Sequence, residues 1–513
     1  MRFQAILAIA VAFVLSGTEL GLASKPSSTL YPRVTGPKEA AEQTISSKDE
    51  KQDAESDKYA QLFNEGYDRF EHGRYEKACQ LFYQILSERT PDVADYEWAE
   101  FFFGVGMKRL GYSQAAVDSL TNLLTRKPNT KIAAYILEVL EQISRSGPFD
   151  RDMVIVRGIC DHNYGFVEGQ LADFIHYYQG EYDWEHGLFQ WGDKHFASIQ
   201  PGSFYHNKYL FKRALRAYYD RRIDSSISML KKILLKLEDG DPLKDDARKT
   251  LARLYYEVGK FSEADFLYQQ IEMNIVDQAQ SLMERAWIHY RLGNAERAMG
   301  LLYSFEAPSY VNSFTPEFFI IKSFIYKDVC HYKKAMQVLD QFKGRYGSAL
   351  EKIYLRRPVQ DNHAMLLVIL NKPKINRAWR FLELLDREHL LSQKFHDEEL
   401  RAYLDKLYGL KREETELKFR KMVTDEYEKM ANQMLRFEEE AHLMEYEIGI
   451  DMYQRVHTYH YEESDRKDKE KKSTGGKVVY AFQGEFWNDE LDNYEVKLPS
   501  KCENAEEWDI FFK

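Results

Sequence analysis

A short phrase recurs along this chain and constrains its fold more strongly than any other feature. Its clearest copies read Gly-x-Tyr/Phe-x-x-Ala, and an apolar helical pattern precedes and follows each one. Copies or close variants stand at residues 73–78, 111–116, 259–264 and 293–298. A phrase that ends one helix, turns the chain and begins another is typical of an α-solenoid, whose repeats bury their apolar faces against each other. The sequence therefore predicts an all-α scaffold.

The spacing of one small residue sets the register of these repeats. It opens the second helix of each pair, and neighbouring copies stand 34 to 38 residues apart except across one wider gap. Its six positions are Ala78, Ala116, Ser226, Ala264, Ala298 and Ala335. A small side chain is needed where two antiparallel helices cross closely. A glycine five residues earlier marks the turn in four units, whereas the third and sixth units lack it.

These units resemble tetratricopeptide repeats over residues 59–346. The matching residues are Gly66, Gly73, Tyr75, Ala78 and Phe82 in the first unit, Gly104, Gly111, Ala116 and Pro128 in the second, Phe261, Ala264 and Tyr268 in the fourth, and Ala286, Gly293 and Ala298 in the fifth. The third unit (Ala214, Ile223, Ser226) and the sixth (Ser323, Tyr332, Ala335) match less closely. The resemblance implies a TPR-like α-solenoid of helix-turn-helix repeats that binds protein partners.

In that family the first helices line a concave groove. The corresponding positions in this chain are Phe63, Tyr67, Lys108, Arg109, Arg253, Tyr256, Trp287, Tyr290, Arg291 and Lys327. Several are basic or aromatic, so such a groove suits an extended or helical peptide with acidic and apolar side chains. The alternative is that rings such as Trp287 form the core between repeats.

The repeat register blurs between residues 132 and 203, which we interpret as one or two degenerate repeats. Gly180 is placed at a turn there, with Glu185 in the position of the small residue. Aromatic residues cluster in the same stretch: Phe174, Tyr177, Tyr178, Tyr182, Trp184, Phe189 and Trp191. We expect them to be mainly buried, and an exposed binding surface is the alternative.

The first residues carry the pattern of an export signal. Arg2 precedes an apolar run, and small residues before Ser24 match a signal-peptidase site. The sequence predicts a signal peptide at 1–23 and a disordered linker at 24–58, which is poor in large apolar residues. The first cysteine, Cys79, is far from the cleavage site, which argues against a lipid-modified N-terminal cysteine. Because no second apolar run spans about 20 residues, we expect a periplasmic chain without a transmembrane segment. An uncleaved N-terminal anchor is the alternative.

A narrower resemblance concerns exported repeat proteins of gliding and predatory bacteria. It rests on the segments 285–293, 307–310, 316–317, 330–332 and 484–491. Some relatives in that group belong to the envelope machinery of gliding motility. The resemblance implies an envelope scaffold and assigns no catalytic residue.

Charge and cysteine content exclude other classes of function. The net charge of −11 and the absence of a basic stripe argue against a nucleic-acid partner. The four cysteines, Cys79, Cys160, Cys330 and Cys502, form no CxxC pair, which argues against a zinc site. In an oxidising compartment they could form up to two disulfides in three full connectivities. For Cys79 and Cys330, inside helical repeats, we expect buried thiols.

Residues 347–465 are predicted to be a helical extension that contains a coiled-coil-like helix. Its apolar seam, with alternating spacings of four and three, consists of Val423, Tyr427, Met430, Met434, Phe437, Ala441, Met444 and Ile448. Self-association through 423–448 and packing of the seam against the chain's own repeats are the two interpretations. The Tyr and Met content favours the second.

The end of the chain changes its pattern. A charged linker is predicted at 466–476, followed by a β-hairpin-like tail at 477–513. The alternating residues are Val478, Tyr480 and Phe482 in one strand and Tyr494, Val496 and Leu498 in the other. Since two strands alone are marginal in water, this tail must lean on helices or on a partner.

No motif for catalysis, cofactor binding or metal binding is present, so we expect no catalytic residue, cofactor or metal. His457 and His460 are interpreted as exposed helix-end residues rather than metal ligands. Trp487 with Glu485, Asp489 and Glu490 has the residue types of a carbohydrate site, but a docking clasp is the preferred interpretation.

The sequence thus favours an exported, non-enzymatic scaffold of the cell envelope that binds proteins. A periplasmic assembly chaperone and a cell-wall glycan enzyme are the alternatives.

Overall fold

The computed structural model describes residues 50–90, 94–160, 162–271, 275–310, 314–462 and 493–502. The predicted signal peptide, the linker at 466–476, and the first strand of the predicted hairpin lie outside these ranges. Residues 50–58, predicted to end the first linker, are helical. None of the helices in the described ranges combines the length and apolar character needed to cross a bilayer.

The described residues are mainly α-helical, as the repeat pattern predicts. In chain order the helices are α1 (Glu50–Glu71), α2 (Tyr75–Glu88), α3 (Ala94–Leu110), α4 (Ser113–Thr125), α5 (Thr130–Ser146), α6 (Gly169–Glu185), α7 (Phe189–Ala197), α8 (Phe204–Tyr219), α9 (Ile223–Leu234), α10 (Pro242–Glu257), α11 (Phe261–Tyr268), α12 (Ile275–Arg291), α13 (Ala295–Tyr303), α14 (Pro316–Asp328), α15 (Tyr332–Tyr354), α16 (His363–Asn371), α17 (Pro373–Ser392) and α18 (Glu398–Glu462). A π-helical segment, Asp152–Cys160, lies between α5 and α6.

The chain divides into two compact units. Of the described residues, unit 1 contains those from Glu50 to Leu123 together with Ser392–Asp405, and unit 2 contains those within Leu124–Leu391 and those from Lys406 to Cys502. In unit 1, the pair α1–α2 packs against α3. Helix α3 packs closely on α4, where the Ser119 hydroxyl donates to Glu100 O at 3.3 Å. In unit 2 the pairs are α6–α7, α8–α9, α10–α11, α12–α13 and α14–α15, and from α8 onward each pair packs against the next. This is the helix-turn-helix stacking of a TPR-like α-solenoid.

The six small residues that set the repeat register lie where the paired helices cross, as predicted. Ala78, Ala116, Ser226, Ala264, Ala298 and Ala335 are all fully buried, with 0% exposed. A second small residue stands twelve positions earlier in each pair, at Gly66, Gly104, Ala214, Ala252, Ala286 and Ser323. The Ser226 hydroxyl donates to Ala214 O at 2.7 Å, so the two helices meet there at close range. Two small residues twelve apart therefore mark each crossing.

The turn between paired helices has the same backbone geometry whether or not it contains glycine. Gly259 and Gly293 have φ values of 76° and 75°, in the left-handed region. In the third and sixth predicted units, the equivalent residues are Arg221 and Cys330, with φ values of 61° and 59°. The turn therefore keeps the same conformation where glycine is absent. Arg221 and Cys330 adopt the left-handed conformation there, which is energetically less favourable for a residue with a side chain.

The stretch 132–203 contains one regular repeat, and the predicted turn at Gly180 was wrong. Gly180 lies inside α6, and the chain turns at Gly187, which has a φ of 78°. The small residue of this repeat is Gly192, twelve positions after Gly180 and five after Gly187. A Cβ atom at Gly192 would lie 2.8 Å from Gly180 O, so the two backbones are in direct contact. Glu185 has no role in the crossing.

The apolar seam of α18 is buried within this single chain. Six of its residues are at most 2% exposed: Val423, Met430, Met434, Ala441, Met444 and Ile448. Two ion pairs, both 2.5 Å long, join α18 to other parts of unit 2: Lys343 of α15 pairs with Glu445, and Lys372, which directly follows α16, pairs with Glu426. The seam packs as the intramolecular interpretation predicts, and its side chains are not exposed for a coiled coil.

The described part of the tail, residues 493–502, is not a β-strand, so the predicted hairpin is not supported there. Its backbone bonds to helices instead, because Val496 N donates to Glu296 O at 3.1 Å. Gly300 makes this possible, since a Cβ atom there would lie 1.9 Å from Tyr494 O. The tail therefore packs against helices of the same chain, as predicted for an extended segment that is not stable by itself in water.

A disulfide joins the tail to the last repeat turn. Cys330 and Cys502 are bonded to each other, whereas Cys79 and Cys160 are not in a disulfide. The expectation of a buried thiol at Cys330 was wrong because the tail lies across its turn, with Lys501 N donating to Val329 O at 3.0 Å. The sequence allowed three full connectivities of the four cysteines. The packing of the tail against this turn is what brings Cys502 to Cys330.

We expect thiol counting to show this pairing. The denatured, unreduced chain should expose two thiols and the Cys502→Ser variant three, because the variant frees Cys330. Amide exchange in residues 493–501 should accelerate in Cys502→Ser and remain unchanged in Cys160→Ser, which serves as the control. Four reactive thiols in the unreduced, oxidatively produced chain would contradict the assigned bond.

Candidate binding surface

Two neighbouring first helices of unit 2, α6 and α8, bring a lysine against several aromatic rings. The Ser203 hydroxyl accepts a hydrogen bond from His206 N at 3.2 Å, and this cap fixes where α8 begins. Lys208 follows about one turn into the helix. Its Nζ lies 4.7 to 5.8 Å from the ring centres of Tyr177, Tyr178, Phe204 and Tyr205. These five residues form what we call the Lys208 surface.

The rings of this surface differ in how open they are. Tyr177 and Tyr205 are 2% and 1% exposed, whereas Phe204 is 44% exposed. The buried rings hold the Lys208 side chain in place, and Phe204 leaves one edge open to solvent. A ring face attracts a cation, which stabilises the ammonium group in this position.

The environment of Lys208 disfavours its protonated, positively charged form. Burial, together with the nearby cations Arg151, Arg145 and Arg377, lowers the pKa of Lys208 to about 8. The group is still mainly protonated at neutral pH. A carboxylate brought to this point would favour the charged form and relieve the repulsion.

Three neighbouring cations already have carboxylate partners. Arg145 pairs with Glu141 at 2.6 Å, Arg151 pairs with Glu181 at 3.1 Å, and Lys212 also pairs with Glu181. Within the ranges that the structure describes, Lys208 has no such partner. Arg145 also lies over the rings of Phe204 and Tyr205, but it is already paired with Glu141, so of these two ring-bound cations Lys208 is the one that an incoming acidic group would pair with.

Sequence reasoning missed the Lys208 surface because the repeat register was lost between 132 and 203. The signal was present, since Gly180 and Gly192 stand twelve residues apart like the small residues of every other pair. Ser203 likewise has the residue type of a helix N-cap. With both placed, Tyr177 and Lys208 fall on consecutive first helices.

The predicted groove residues of α10 and α12 make contacts between repeats. The Arg253 guanidinium pairs with Glu284 of α12 at 2.7 Å. Trp287 Nε1 donates to Glu317 Oε1 of α14 at 2.7 Å. Burial raises the pKa of Glu317, although the hydrogen bond from Trp287 opposes the shift. These side chains join successive repeats, as the core alternative for Trp287 anticipated.

The remaining predicted residues of α10 and α12 are joined in the same way. Tyr290 donates to Asp328 Oδ2 at 2.5 Å, and burial together with this hydrogen bond raises the pKa of Tyr290 to about 12. Arg291 hydrogen-bonds to Tyr256, which raises the pKa of the guanidinium. The structure thus brings these predicted residues together along adjacent first helices. Their contact with a partner stays a prediction.

The predicted groove residue Lys327 contacts α18. Its ammonium lies 2.6 Å from Glu447 Oε2 and 3.8 Å from Asp451 Oδ2. Burial lowers the pKa of Lys327, but these carboxylates outweigh burial and raise it. In unit 2 a helix of the same chain with acidic side chains therefore contacts α14 where the resemblance places a partner.

The predicted groove residues of unit 1 form a separate set. Phe63 is buried, with its ring centre 5.8 Å from Phe82, and offers little surface. Tyr67 is half-buried and donates to Glu71, whereas Arg109 is exposed. Lys108 Nζ donates to the Ser113 hydroxyl at 3.2 Å.

The aromatic cluster of the irregular stretch divides between core and surface. Phe174, Tyr177 and Tyr178 are buried, as the packing interpretation predicts. Phe189 and Trp191 are 45% and 61% exposed, so they fit the surface alternative. Tyr182 and Trp184 are half-buried.

Two other predictions fall outside the described residues. The side chains of His457 and His460 are not described, and Trp487 with its neighbouring acids is not described at all. The exposed-histidine and docking-clasp interpretations therefore stay predictions.

No known protein family matches the sequence, and no curated protein matches it. Among solved structures, a tetratricopeptide repeat protein from Parabacteroides merdae is 14% identical, covers 56% of this chain and 92% of its own, and has a TM-score of 0.23. The apo form of RapI is 13% identical, with 71% and 98% covered and a TM-score of 0.30. The TPR domain of P58(IPK) is 13% identical, with 75% and 98% covered and a TM-score of 0.22. These scores are low, so the repeat assignment rests on the helix pairs themselves.

Proposed function

We propose that this chain of TPR-like repeats is a non-enzymatic scaffold that binds an acidic protein segment at the Lys208 surface. One observation carries the proposal: the half-buried ammonium of Lys208 lies over aromatic rings without a carboxylate partner among the described residues. A charge-assisted hydrogen bond to a carboxylate is among the stronger polar contacts that a protein surface can make. Apolar groups beside that carboxylate would pack on the exposed edge of Phe204.

The contact between α18 and α14 supports the kind of partner proposed. Glu447 and Asp451 lie one turn apart on α18 and converge on Lys327 of a first helix. An acidic helix thus already pairs with a first-helix lysine within unit 2. A partner segment with carboxylates at helical spacing would have the same complementarity to Lys208.

We further propose that the scaffold works in the periplasm of an exporting bacterium. The sequence pattern of a signal peptide at residues 1–23 supports export. The disulfide between Cys330 and Cys502 supports an oxidising compartment, where such bonds persist. The narrower sequence resemblance suggests an envelope assembly related to gliding motility.

The Lys208 variants test the binding site. Peptides selected from a displayed library by the full-length mature chain should be rich in Asp and Glu, and their affinity should fall at least about tenfold in Lys208→Ala, because a charge-assisted contact is worth about 1.5–3 kcal/mol. Lys194→Ala is the matched control, since Lys194 also lies over a ring, that of Trp191, in unit 2. Calorimetric titration measures each affinity.

The pH dependence gives a second readout of the same site. Since the pKa of free Lys208 is about 8, its charge is present at pH 7 and mostly lost at pH 9, so affinity should fall over this range. Lys208→Arg should bind at pH 7 and lose this dependence, because arginine stays protonated. Selected peptides without acids, or equal affinity in Lys208→Ala, would refute the proposed site.

A further inference from the structure

A cavity of about 440 Å³ lies on α6, beside the π-helical segment. Its wall is built from the last residue of the π-helical segment and the residues that follow it, from one face of α6 and from His195 of α7. Three histidines, one cysteine and one aspartate are part of this wall: Cys160, His162, His176, Asp183 and His195. Imidazole, thiolate and carboxylate are the side-chain ligands of transition metals.

Two of these imidazoles face each other. The Nδ1 atoms of His176 and His195 are 3.2 Å apart, and both rings are half-buried. The backbone contact between Gly180 and Gly192 sets this distance, because it brings α6 and α7 together within one turn of each histidine. The pair is therefore held by the helix crossing rather than by a flexible loop.

A carboxylate stands behind one of the rings. Asp183 Oδ2 lies 3.8 Å from Nε2 of His195, on the opposite side of the ring from the paired nitrogen. This separation is longer than a hydrogen bond, and a small rotation of either side chain would close it. A carboxylate that accepts the N–H of a ligating histidine orients the ring and increases its basicity. Asp183 is two helical turns after His176, so both project from the same face of α6.

We propose that His176 and His195 bind a divalent transition-metal ion of the zinc class through their Nδ1 atoms, with Asp183 orienting His195. With Zn–N bonds of about 2.0–2.1 Å, two nitrogens of a tetrahedral site lie about 3.3 Å apart. The observed 3.2 Å therefore fits one ion between the rings with little movement.

The cavity supplies the rest of the coordination. No three metal-binding side chains of the described residues already converge on one point, so the remaining positions fall to water or to a rotated neighbour. Cys160 is not disulfide-bonded and its Sγ lies 3.8 Å from Tyr178 O, and Nε2 of His162 is buried without a hydrogen-bond partner. These soft and borderline donors select zinc, copper or nickel over magnesium and calcium.

Metal titration of the tag-free, full-length mature chain tests the site. Calorimetry with Zn²⁺ and visible absorption with Co²⁺ should show one ion per chain. His176→Ala and His195→Ala should each weaken binding at least tenfold. Asp183→Asn keeps both imidazoles and should weaken it by about tenfold or more, as loss of an orienting carboxylate does. His363→Ala, which removes an exposed histidine of unit 2 outside the cavity, should have no effect.

Circular dichroism of each variant checks folding, and His195→Gln replaces any alanine variant that fails it. An ion bound with equal affinity by His176→Ala and His195→Gln would overturn the proposal. So would the absence of binding at 100-fold excess of Zn²⁺ over the chain. In either case the two rings are a simple hydrogen-bonded pair.

Discussion

Replacing Gly192 with leucine should destabilise unit 2 by about 3 kcal/mol, which is among the largest effects expected in this protein. A Cβ atom at Gly192 would lie 2.4 Å from Trp184 Cδ1 and 2.8 Å from Gly180 O. Backbone cannot move aside as a side chain can, so the larger residue would force α6 and α7 apart. Overpacking of this kind costs about 1–3 kcal/mol and occasionally more. Native-state hydrogen exchange of the α6 and α7 amides measures the loss.

Gly344→Ala is the control for this prediction. Gly344 also lies inside a helix, α15, but nothing is within 4 Å of a Cβ atom placed there. Alanine should therefore stabilise the helix by about 0.5–1 kcal/mol, through its higher helix propensity. If Gly192→Leu left the exchange of α6 unchanged, the close crossing that defines this repeat would be refuted.

Replacing Arg285 with alanine should cost about 3–5 kcal/mol. The Arg285 guanidinium is 4% exposed and its Nε donates to Asp265 Oδ1 at 2.8 Å. Removal of one partner from a buried ion pair leaves the other charge poorly compensated, which is strongly destabilising. Here His289, 3.5 Å from Asp265, is the remaining ionisable neighbour that favours the carboxylate. The loss should appear in urea denaturation followed by the exchange of α11 and α12 amides.

Arg253→Ala is the matched control for the ion pair. Arg253 also pairs with a carboxylate of α12, Glu284, but its side chain is 47% exposed, so its loss should cost less than about 1 kcal/mol. Similar losses in the two variants would show that the Arg285 pair does not behave as a buried one.

The same pair predicts how stability depends on pH. Burial alone would raise the pKa of Asp265, but His289 and Arg285 outweigh it and hold the pKa well below its usual range. The contribution of this carboxylate is therefore complete above its unfolded pKa of about 3.9 and is lost as pH falls toward the lower folded value. In Arg285→Ala the loss should begin at a higher pH.

The regular repeats could be predicted because their signal is local. A small residue at the crossing and a left-handed residue at the turn stand at fixed separations, since the geometry of two packed helices is the same in each copy. Arg221 and Cys330 show that the turn tolerates other residues, so a search for glycine alone overlooks it. Gly187 and Gly192 were not recognised as a turn and a crossing because the turn was assigned to Gly180 and the crossing position to Glu185.

The candidate sites could be predicted only in part. The family resemblance assigned groove positions to the first helices, and those from Arg253 to Lys327 do lie next to one another. Most of their polar groups, however, bond to the next repeat or to α18. Spacing shows which face of a helix a residue occupies, but not which neighbour its side chain meets. Lys208 and the His176–His195 pair depend on contacts between different helices, and no local pattern encodes them.

The sequence by itself determined that the chain is all-α, that its helices pair through small residues and that α18 carries one apolar seam. These properties follow from periodicity, which local geometry imposes on any helix. Only the tertiary structure decided that Cys330 bonds to Cys502 across a sequence separation of 172 residues, that residues 493–502 lie on helices, and that two histidines meet beside a cavity. Such long-range pairings depend on how whole helices pack, and the spacing of residues along the chain does not specify that packing.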